Sequence, residues 1–462
     1  MKKILLSFII VCVVSCASDD GNEIVIDEPA LEDLRAESIE MLAGTDGRVW
    51  QIIQASLQNQ QNNIDISSNF NVVDDEFIFT DASIEWRQAH AIKYIAANAD
   101  EAKQDYYVAP ENYSYSFEPE SATRFSSNAA MQYEIIHNDS ISANFDVSNG
   151  VELQLLLVPK TVQDYASVEN TALQFTQAFT VNTILNRIGK TGMESAQSQN
   201  SIYIVTQEDL LLQKLIQVNM TTMAQNEVTF LEDRFADKRI HIVGNRLSIA
   251  SALTVDDYSV NGLQYLGNGV ENTLLEGWEN FGSATQGDDI YIVGGRLHGD
   301  RSLIYRYNLQ TQTYSEFANL PEDRFGADAV VVGDNLYVFG GKTIIPYFTA
   351  PEQTTIYIVP LSNPSAVQTL QMTQSAAITY VRAYQNLIYI ASVAETSTGL
   401  RNTISVFNTL DNTYQDLSHD LDTTNPQNAI QGMCLLGNKI YVLYGENAFP
   451  SQDWKVYEAT LD

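Results

Sequence analysis

The sequence predicts an all-β protein: a small antiparallel barrel near the N-terminus, followed by a six-bladed β-propeller. Three observations predict it. Short alternating segments fill residues 42–160, related strand patterns recur from residue 171 to the end, and 45% of the residues are apolar. That apolar content is enough to build hydrophobic cores, and alternation at period two is typical of half-buried strands.

The charge of the chain excludes two classes of partner. The 462 residues include 25 Lys and Arg against 58 Asp and Glu, which gives a formal net charge of −33. Nucleic-acid binding needs a basic face to meet phosphates, and docking on anionic lipid needs a basic patch. We therefore expect no nucleic-acid partner.

The first sixteen residues have the pattern of an export signal. Lys2 and Lys3 give a charged start, residues 4–14 form an apolar run too short to span a bilayer, and Ser15 precedes Cys16. This order resembles the bacterial lipobox, in which a small residue precedes a Cys that becomes lipidated. The resemblance implies a signal peptide over residues 1–15 and a membrane anchor through lipid on Cys16. The alternative is an ordinary secretory signal that contains a Cys.

An acidic tether follows the anchor over residues 16–41, with a short helix predicted near residues 31–41. The stretch at residues 17–23 resembles the surface-export signal of lipoproteins in the Bacteroidetes lineage. This resemblance implies an outer-membrane protein that faces the cell surface. The alternatives are a plain polar tether and a location on the periplasmic face.

Residues 42–160 contain seven or eight short segments with strand alternation, and closure into a barrel would remove their exposed edges. Residues 89–103 interrupt them with helical spacing, which predicts a helix there, and the alternative is an Ala-rich loop. The predicted strands cover residues 49–53, 72–80, 84–87, 113–117, 131–136, 140–147 and 151–158.

Three of these segments carry a recognisable order of aromatic residues. Val49-Trp50-Gln51-Ile52, Asp74-Asp75-Glu76-Phe77-Ile78-Phe79 and Ile84-Glu85-Trp86 resemble the lipocalin-like domain common in Bacteroidetes lipoproteins. Trp50, Phe77, Phe79 and Trp86 are expected to fill the barrel core. The resemblance also implies the alternative of an apolar pocket for a small ligand.

From residue 171 an apolar–aromatic–apolar segment recurs, twice followed by a diglycine. The pattern resembles kelch repeats, which implies four-stranded propeller blades. We expect six blades, and the alternative is a five-bladed or seven-bladed ring. The central residues of the six segments are Tyr203, His241, Tyr291, Tyr337, Tyr389 and Tyr441.

The last repeat is incomplete. Residues 454–461 match only a third strand, so the fourth strand of the last blade must come from elsewhere. Residues 173–179 alternate and precede the first repeat. We therefore predict that this segment closes the propeller, which spans residues 171–462.

No catalytic or metal-binding pattern appears. The five His residues show no metal-ligand spacing, and the sequence contains no Gly-rich phosphate loop and no Gly-x-Ser-x-Gly elbow. Once Cys16 carries lipid and Cys12 leaves with the signal, Cys434 is alone and is predicted to be a buried apolar residue. We expect no metal and no cofactor.

The candidate binding residues are the few cations near the predicted central funnel. Arg234 and Arg324 occur in related Glu-Asp-Arg-Phe segments just before a first strand. They are suited to bind a carboxylate, and the alternative is that each pairs with a neighbouring acid and fastens one blade to the next. The other candidates, for which the alternative is a solvated loop or rim, are Arg296, His298, Asp300, Arg301, Lys342, Arg382 and Glu446.

The function expected from these features is a lipid-anchored binding module whose propeller face meets a glycan or a protein. One alternative is an enzyme similar to the six-bladed kelch sialic-acid mutarotases, with Arg296, Arg324, Arg382 and Glu446 as candidate residues. Another is an accessory subunit of an outer-membrane uptake complex. Propellers host many functions, so the fold alone does not decide between these.

Overall fold

The computed structural model describes most of the chain from residue 30 onward. Within the residues that it describes there are one helix, α1 (Leu31–Ala43), at the position predicted for a short helix, and 36 strands. The described residues are 30–44, 48–58, 63–67, 75–87, 91–93, 104–106, 111–137, 139–148, 150–161, 164–168, 171–181, 192–196, 199–207, 212–231, 238–250, 255–268, 280–295, 302–343, 352–422, 425–446 and 454–461.

The N-terminal part is a closed antiparallel barrel of eight strands. Closure occurs where the first and last strands pair, with Trp50 opposite Pro159 and Gln58 opposite Glu152. The eight barrel strands are β1 (Arg48–Gln58), β3 (Glu76–Phe79), β4 (Ser83–Arg87), β7 (Glu111–Phe117), β8 (Arg124–Ser127), β9 (Gln132–His137), β10 (Ser140–Ser148) and β11 (Val151–Pro159). The predicted barrel is confirmed.

Three of the four aromatic residues predicted for the barrel core are fully buried there, and the fourth, Trp86, is half-buried against that core. Trp50, Phe77 and Phe79 are fully buried, and Trp86 stacks on Phe77 with ring centroids 5.3 Å apart. Phe79 makes edge-to-face contacts with four other rings, an arrangement that stabilises aromatic pairs. These rings therefore pack against one another inside the barrel and form part of its core.

Helix α1 packs against the barrel. Leu42 near its end is fully buried in the barrel core, and its carbonyl accepts the Nε1–H of Trp50 at 2.9 Å. Arg35 donates to the carbonyls of Glu118, Pro119 and Ser121. The folded unit therefore begins with α1, because the helix contributes both core contacts and hydrogen bonds.

The helix predicted over residues 89–103 is wrong in the part that the structure describes. Residues 91–93 form strand β5 (Ala91–Lys93), which pairs with β6 (Gln104–Tyr106). The Ala-rich spacing that suggests a helix here is overridden by backbone pairing between the two arms of this insertion. A short strand β2 (Asn63–Asp65) extends the barrel sheet beside β1.

The C-terminal part is a propeller of six four-stranded antiparallel blades. The first three blades contain β14 (Met193–Ala196), β15 (Ser201–Gln207), β16 (Leu212–Asn219) and β17 (Gln225–Leu231); β18 (Arg239–Val243), β19 (Arg246–Ala250), β20 (Val255–Ser259) and β21 (Tyr265–Asn268); and β22 (Gly282–Gln286), β23 (Asp289–Val293), β24 (Leu303–Asn308) and β25 (Thr313–Asn319).

The other three blades complete the ring and confirm the predicted number of six. They contain β26 (Asp328–Val332), β27 (Asn335–Phe339), β28 (Gln353–Pro360) and β29 (Gln368–Ala376); β30 (Ile378–Tyr384), β31 (Leu387–Thr396), β32 (Gly399–Asn408) and β33 (Thr413–His419); and β34 (Asn428–Leu436), β35 (Lys439–Glu446), β36 (Trp454–Thr460) and β13 (Thr176–Val181).

Strand β13 closes the sixth blade, as the sequence predicted, but the closing strand begins later than residue 173. It pairs antiparallel with β36, with Val181 opposite Trp454. Leu173 belongs instead to β12 (Ala172–Leu173), a fifth strand that lies parallel to β33 on the fifth blade. The segment after the barrel therefore contributes one strand to each of two neighbouring blades.

The second repeat was placed on the wrong strand by the sequence. His241 lies in β18, the first strand of blade two, whereas the other five central residues lie in second strands. The second strand β19 has Ser248 at the position that Tyr291 occupies in blade three. The error arose because Ile240 and Ile242 flank His241 just as apolar residues flank each tyrosine.

The blades pack through separate apolar cores. Each of the six interfaces between adjacent blades contains its own cluster of buried side chains. The six first strands, β14, β18, β22, β26, β30 and β34, are neighbours in this circular order around the axis. Side chains that these strands turn toward the axis thus come together from blades far apart in sequence.

Candidate functional site

Two kinds of connection lie at the same end of the propeller. Because strands within a blade alternate in direction, the segments entering the first strands and those following the second strands share one end. We call this end the loop face. In the described residues it includes Asn280, Gly294–Gly295, Arg324–Gly326, Gly340–Lys342 and Ala376–Ala377.

The loop face is held together by backbone hydrogen bonds between blades. Gly326 N donates to Asn280 O at 2.8 Å, and Thr379 N donates to Gly326 O at 2.9 Å. Gly341 N donates to Ala376 O at 2.9 Å. These bonds join blades three, four and five, so this part of the face is a rigid frame.

The diglycines are needed for this close approach. Gly340 and Gly341 both have positive φ, and a Cβ on Gly341 would lie 2.8 Å from backbone atoms of Phe325 and Ala327. Any other residue would be strained and would push the loops apart. The repeated diglycine is thus a structural feature of the loop face.

Arg324 is fully buried beneath the loop face. Its guanidinium donates to the Tyr357 hydroxyl at 2.7 Å, to Glu322 Oε2 at 3.1 Å and to the Asp323 carbonyl at 2.9 Å. It also lies over the Tyr357 ring, 4.6 Å from the centroid. These side-chain contacts lie within blade four and its entering segment, so the guanidinium fixes this loop, while the Arg324 carbonyl accepts the Gly295 N–H of blade three at 2.8 Å.

Lys342 lies on the loop face with most of its side chain covered. Its Nζ is 3.4 Å from Glu395 Oε1, a largely exposed carboxylate of blade five. Backbone bridges join Lys342 to Phe325 and to Glu352. Lys342 therefore links two blades at the rim and keeps only a small exposed area.

Arg382 lies in the central channel, where its guanidinium lies near carbonyl or carboxylate groups of four other residues. From β30 it donates to Met193 O of blade one at 2.6 Å, and its Nε is 3.0 Å from Glu194 Oε2. Its Nη1 lies 3.8 Å from Asp328 Oδ2 of blade four and donates to Val381 O. Burial alone would lower the pKa of Arg382, but Glu194 and Asp328 outweigh it and raise that pKa above its ordinary value.

Asp328 is a buried carboxylate that joins the first strands of three blades. Its Oδ1 accepts the Ser283 N–H at 3.3 Å, and its Oδ2 accepts the Val381 N–H at 3.1 Å. Hydrogen bonds to the ionised form favour it, and a buried charge needs such partners. Sequence analysis did not single out Asp328 or Glu194, because their partners come from distant blades.

His241 of blade two belongs to the same cluster. It is 5% exposed, and its Nδ1 lies 3.5 Å from Thr285 Oγ1 of blade three. Burial is the main cause that lowers the pKa of His241 to about 3, and Arg382 and Arg239 add to it. The imidazole is therefore neutral at pH 7.

Cys434 is buried as expected, and it does not have the properties of a nucleophile. Burial raises the pKa of its thiol well above the ordinary value, and Glu194 adds to the rise. A reactive cysteine needs a lowered pKa and some exposure. Cys434 is thus a small apolar residue of the sixth blade's first strand.

Several predicted site residues lie outside the described part of the chain. Glu446 ends strand β35, where its backbone pairs with Asn428. Lys342 pairs with Glu395 at the rim, whereas Arg382 pairs with Glu194 in the channel, so these two candidates occupy separate positions. The candidates outside the described residues are Arg234, Arg296, His298, Asp300, Arg301 and the lipidation candidate Cys16.

Within the described ranges, no group of three or more His, Cys, Asp or Glu is arranged to hold a metal ion. Among those same residues, no helix is long and apolar enough to cross a membrane. The described site therefore consists of a channel lined by paired charges. It lies beneath a loop face whose segments are joined by backbone hydrogen bonds between blades.

Comparison with known proteins supports the reading of the repeats. Residues 278–321 match the family model of the Kelch motif, and this segment contains the four strands of blade three. Comparison with curated proteins finds no match to the chain. The motif and the six-blade arrangement together support a kelch-repeat β-propeller, a fold that suggests a binding or interaction module.

Proposed function

We propose that this chain is an outer-membrane lipoprotein that presents the loop face of its propeller to a glycan or protein partner at the cell surface. The anchoring part of the proposal rests on the first residues of the sequence: a charged start, an apolar run and Ser15-Cys16. The acidic stretch behind Cys16 supports an outward-facing position.

One observation carries the binding role. The described candidate cations are already paired with carboxylates of the protein itself: Arg324 with Glu322, Lys342 with Glu395 and Arg382 with Glu194. General acid–base catalysis needs a group within reach of the substrate and free to move a proton. Charge-compensated, interlocked side chains suit a rigid binding platform better.

The net charge of the chain narrows the range of possible partners. Loss of residues 1–15 would remove Lys2 and Lys3 and leave a formal charge of −35, from −33 for the whole chain. A strongly acidic surface repels polyanions and attracts basic patches. We therefore favour a neutral glycan or a protein with a basic surface.

The test uses residues 24–462, which lack the anchor, in a thermal-shift screen against free sugars, including sialic acids, and oligosaccharides. A ligand at one hundred times its Kd should stabilise the protein by about 2.7 kcal/mol. Matching sugar alcohols serve as controls for non-specific effects. An oligosaccharide shift supports glycan capture, whereas no shift across the panel contradicts small-sugar binding and directs the search to protein partners by cross-linking on cells.

The anchoring part has its own test. Full-length protein is expected in the outer-membrane fraction and is expected to be cleaved when protease is added to whole cells. The Cys16→Ala variant should leave the membrane fraction, because lipid on Cys16 is the proposed anchor. Wild-type protein that resists protease on intact cells but is cleaved after lysis would place it on the periplasmic face instead.

A mutarotase-like enzyme is the second candidate. The observation that favours it is the Arg382–Glu194 pair, 3.0 Å apart in the channel of a six-bladed ring. The test is the rate of anomer exchange of sialic acid, followed by NMR, for wild type and Arg382→Met. Acceleration that Arg382→Met abolishes would favour the enzyme.

An uptake-complex subunit is the third candidate, and its test is cross-linking in intact outer membranes. A transporter partner recovered with wild-type protein, and not with Cys16→Ala, would support it.

A further inference from the structure

The outer edge of blade one differs from the outer edges of the other five blades. Its outer strand, β17 (Gln225–Leu231), pairs with β16 over seven consecutive residues without a register shift. Register shifts interrupt the pairing of the outer strands of blades two, three, four and six. The outer strand of blade five is regular, but β12 covers part of its edge. Proteins commonly protect sheet edges with bulges, short strands or covering segments, and β17 has none of these within the described ranges.

The backbone of β17 turns every second pair of N–H and C=O groups away from its own sheet. Asn219 N donates to Ala224 O at 3.0 Å in the turn before β17, so these two residues form a hydrogen-bonded pair. Because such pairs alternate along an antiparallel ladder, Val228 bonds to β16, whereas Gln225 and Glu227 turn their backbone groups outward. No strand in the described part of the chain pairs with this edge. Backbone groups in such a row are a template for another strand.

The charge at this edge is compensated within blade one. Glu227 is the one charged residue in the sequence of β17, and its carboxylate lies 3.0 Å from Lys214 Nζ. Gln225, Asn226 and Glu227 are exposed, and Val228 is half-buried against the core between blades one and two. The strand contains no proline and no lysine, which are common at protected edges. The edge is therefore accessible and locally neutral.

Two copies of β17 are complementary to each other. An antiparallel pair centred on Val228 places Glu227 of one copy opposite Thr229 of the other. In the same register Gln225 faces Leu231, so outward-turned residues meet outward-turned residues, as hydrogen-bonded pairs require. The two glutamates are not directly opposite, and each keeps its own lysine partner. This register therefore avoids the like-charge pairs that destabilise neighbouring strands.

We propose that two copies of this chain form a dimer in which their first blades join through antiparallel pairing of β17 about Val228. The net charge of −33 on each copy opposes the contact at long range. Salt screens that repulsion, because it acts between exposed charges. The proposal goes beyond the proposed function, since β17 is the outer strand of blade one and not part of the loop face.

The first test measures the molar mass of the full-length chain in detergent by light scattering over a range of protein concentrations. A dimer should form as the concentration rises, and sodium chloride should strengthen it because the net repulsion is screened. A monomer at every protein and salt concentration would overturn the proposal. Association that weakens with salt would also contradict it, because such behaviour indicates attraction between opposite charges.

Glu227→Pro and Glu227→Gln are the matched variants. Proline removes the outward N–H and leaves the hydrogen bonds to β16 intact. The dimer then loses two hydrogen bonds, one from each copy, so association should weaken about thirtyfold, which corresponds to about 2 kcal/mol. Glu227→Gln also loses the ion pair with Lys214 but keeps the N–H, so it should still form the dimer. Equal weakening in both variants would contradict pairing at β17.

A cysteine cross-link tests the register and covers the case in which Glu227→Pro does not fold. In the proposed pair the two Val228 residues are directly opposite, with Cα atoms about 4.5 Å apart, which suits a disulfide. Asn226 is on the same face, but its two copies would be about 13 Å apart along the strands. Val228→Cys should therefore form a cross-linked dimer on mild oxidation. Asn226→Cys should match wild type, whose own cysteines give the background, and equal cross-linking at both positions or at neither would overturn the proposal.

Discussion

Arg382 joins three blades through one guanidinium group. It reaches Met193 and Glu194 of blade one and lies near Asp328 of blade four, while its own strand belongs to blade five. The contact with blade one bypasses blade six, the blade that is closed by a strand from the other end of the domain. Arg382 therefore stabilises the ring beside blade six, the blade that combines both ends of the domain.

Replacing Arg382 should be costly. Arg382→Met leaves two carboxylates in the channel without their cation, and breaking a largely buried pair in this way costs about 3 kcal/mol. Urea unfolding measures the loss. Arg306→Met is the control, because Arg306 is well exposed and 3.8 Å from Asp289, so its loss should cost under about 1 kcal/mol. Equal losses in the two variants would contradict the role of Arg382.

His241 predicts a pH dependence of stability. Its folded pKa of about 3 lies below the ordinary value of 6.5, so the unfolded chain binds the proton more tightly. Stability from this group is therefore full above about pH 6.5 and is lost as the pH falls toward 3, by about 1.4 kcal/mol per pH unit. Urea unfolding of wild type and His241→Gln at several pH values and constant ionic strength checks this. A pH slope that is unchanged in the variant would contradict it.

Single residues of the channel were the hardest to predict. Arg382 was identified as a rare cation near the funnel, but Glu194, Asp328 and His241 were not connected to it. These four residues lie in four different blades, so they come together only once the ring is closed. Local patterns predict strands, and they do not predict which side chains meet across a channel.

At the scale of elements, β13 shows how the propeller is closed. This strand precedes the first blade in sequence and completes the last, so the sixth blade combines both ends of the domain. Ahead of it, Ser418 N donates to Thr171 O at 3.0 Å and Asp420 accepts the Phe175 N–H at 2.7 Å. The segment after the barrel is therefore fastened to blade five before it closes blade six.

The closing strand should carry a large share of the stability. Phe179 of β13 is 7% exposed and packs in the core between blades six and one. Phe179→Ala should cost about 3–5 kcal/mol, as expected for a buried phenylalanine. Tyr265→Ala is the matched control, because Tyr265 lies in the outer strand of blade two and is 57% exposed. Thermal or urea unfolding compares them, and a small loss for Phe179→Ala would contradict closure by β13.

Two glycines with positive φ test the packing of the loop face. A Cβ on Gly326 would lie 2.1 Å from the Ala377 carbonyl oxygen, whereas a Cβ on Gly333 would meet nothing within 4 Å. Gly333→Ala should cost about 1 kcal/mol from backbone strain alone. Gly326→Ala should cost about 3 kcal/mol, because the blades must also separate. Comparable losses, measured by urea unfolding, would show that blade contact at Gly326 is unimportant.

The elements themselves were largely predictable, and the failures have local causes. Alternation with Gly and Asn turns located most strands, whereas β8, only four residues long, was missed. His241 was assigned to a second strand because Ile240 and Ile242 mimic the repeat, and blade two has Ser248 where other blades have tyrosine. Short strands and substituted repeats weaken the signal on which sequence prediction depends.

At the scale of the whole molecule, the barrel and the propeller are each closed by an antiparallel pair between distant segments. Strand β1 pairs with β11 in the barrel, and β13 pairs with β36 in the propeller. Both closures were predictable, the barrel from its number of strands and the propeller from the missing fourth strand. The rigid, closed propeller is the basis of our proposal that a partner binds at the loop face.

Hydrogen exchange of residues 24–462, with and without the sugar or partner protein found by screening or cross-linking, tests that claim most directly. Binding should slow exchange in the segments that enter the first strands and follow the second strands, such as those around Arg324 and Lys342. Exchange in the barrel strands should stay unchanged. Protection confined to the barrel, with none on the loop face, would contradict the account.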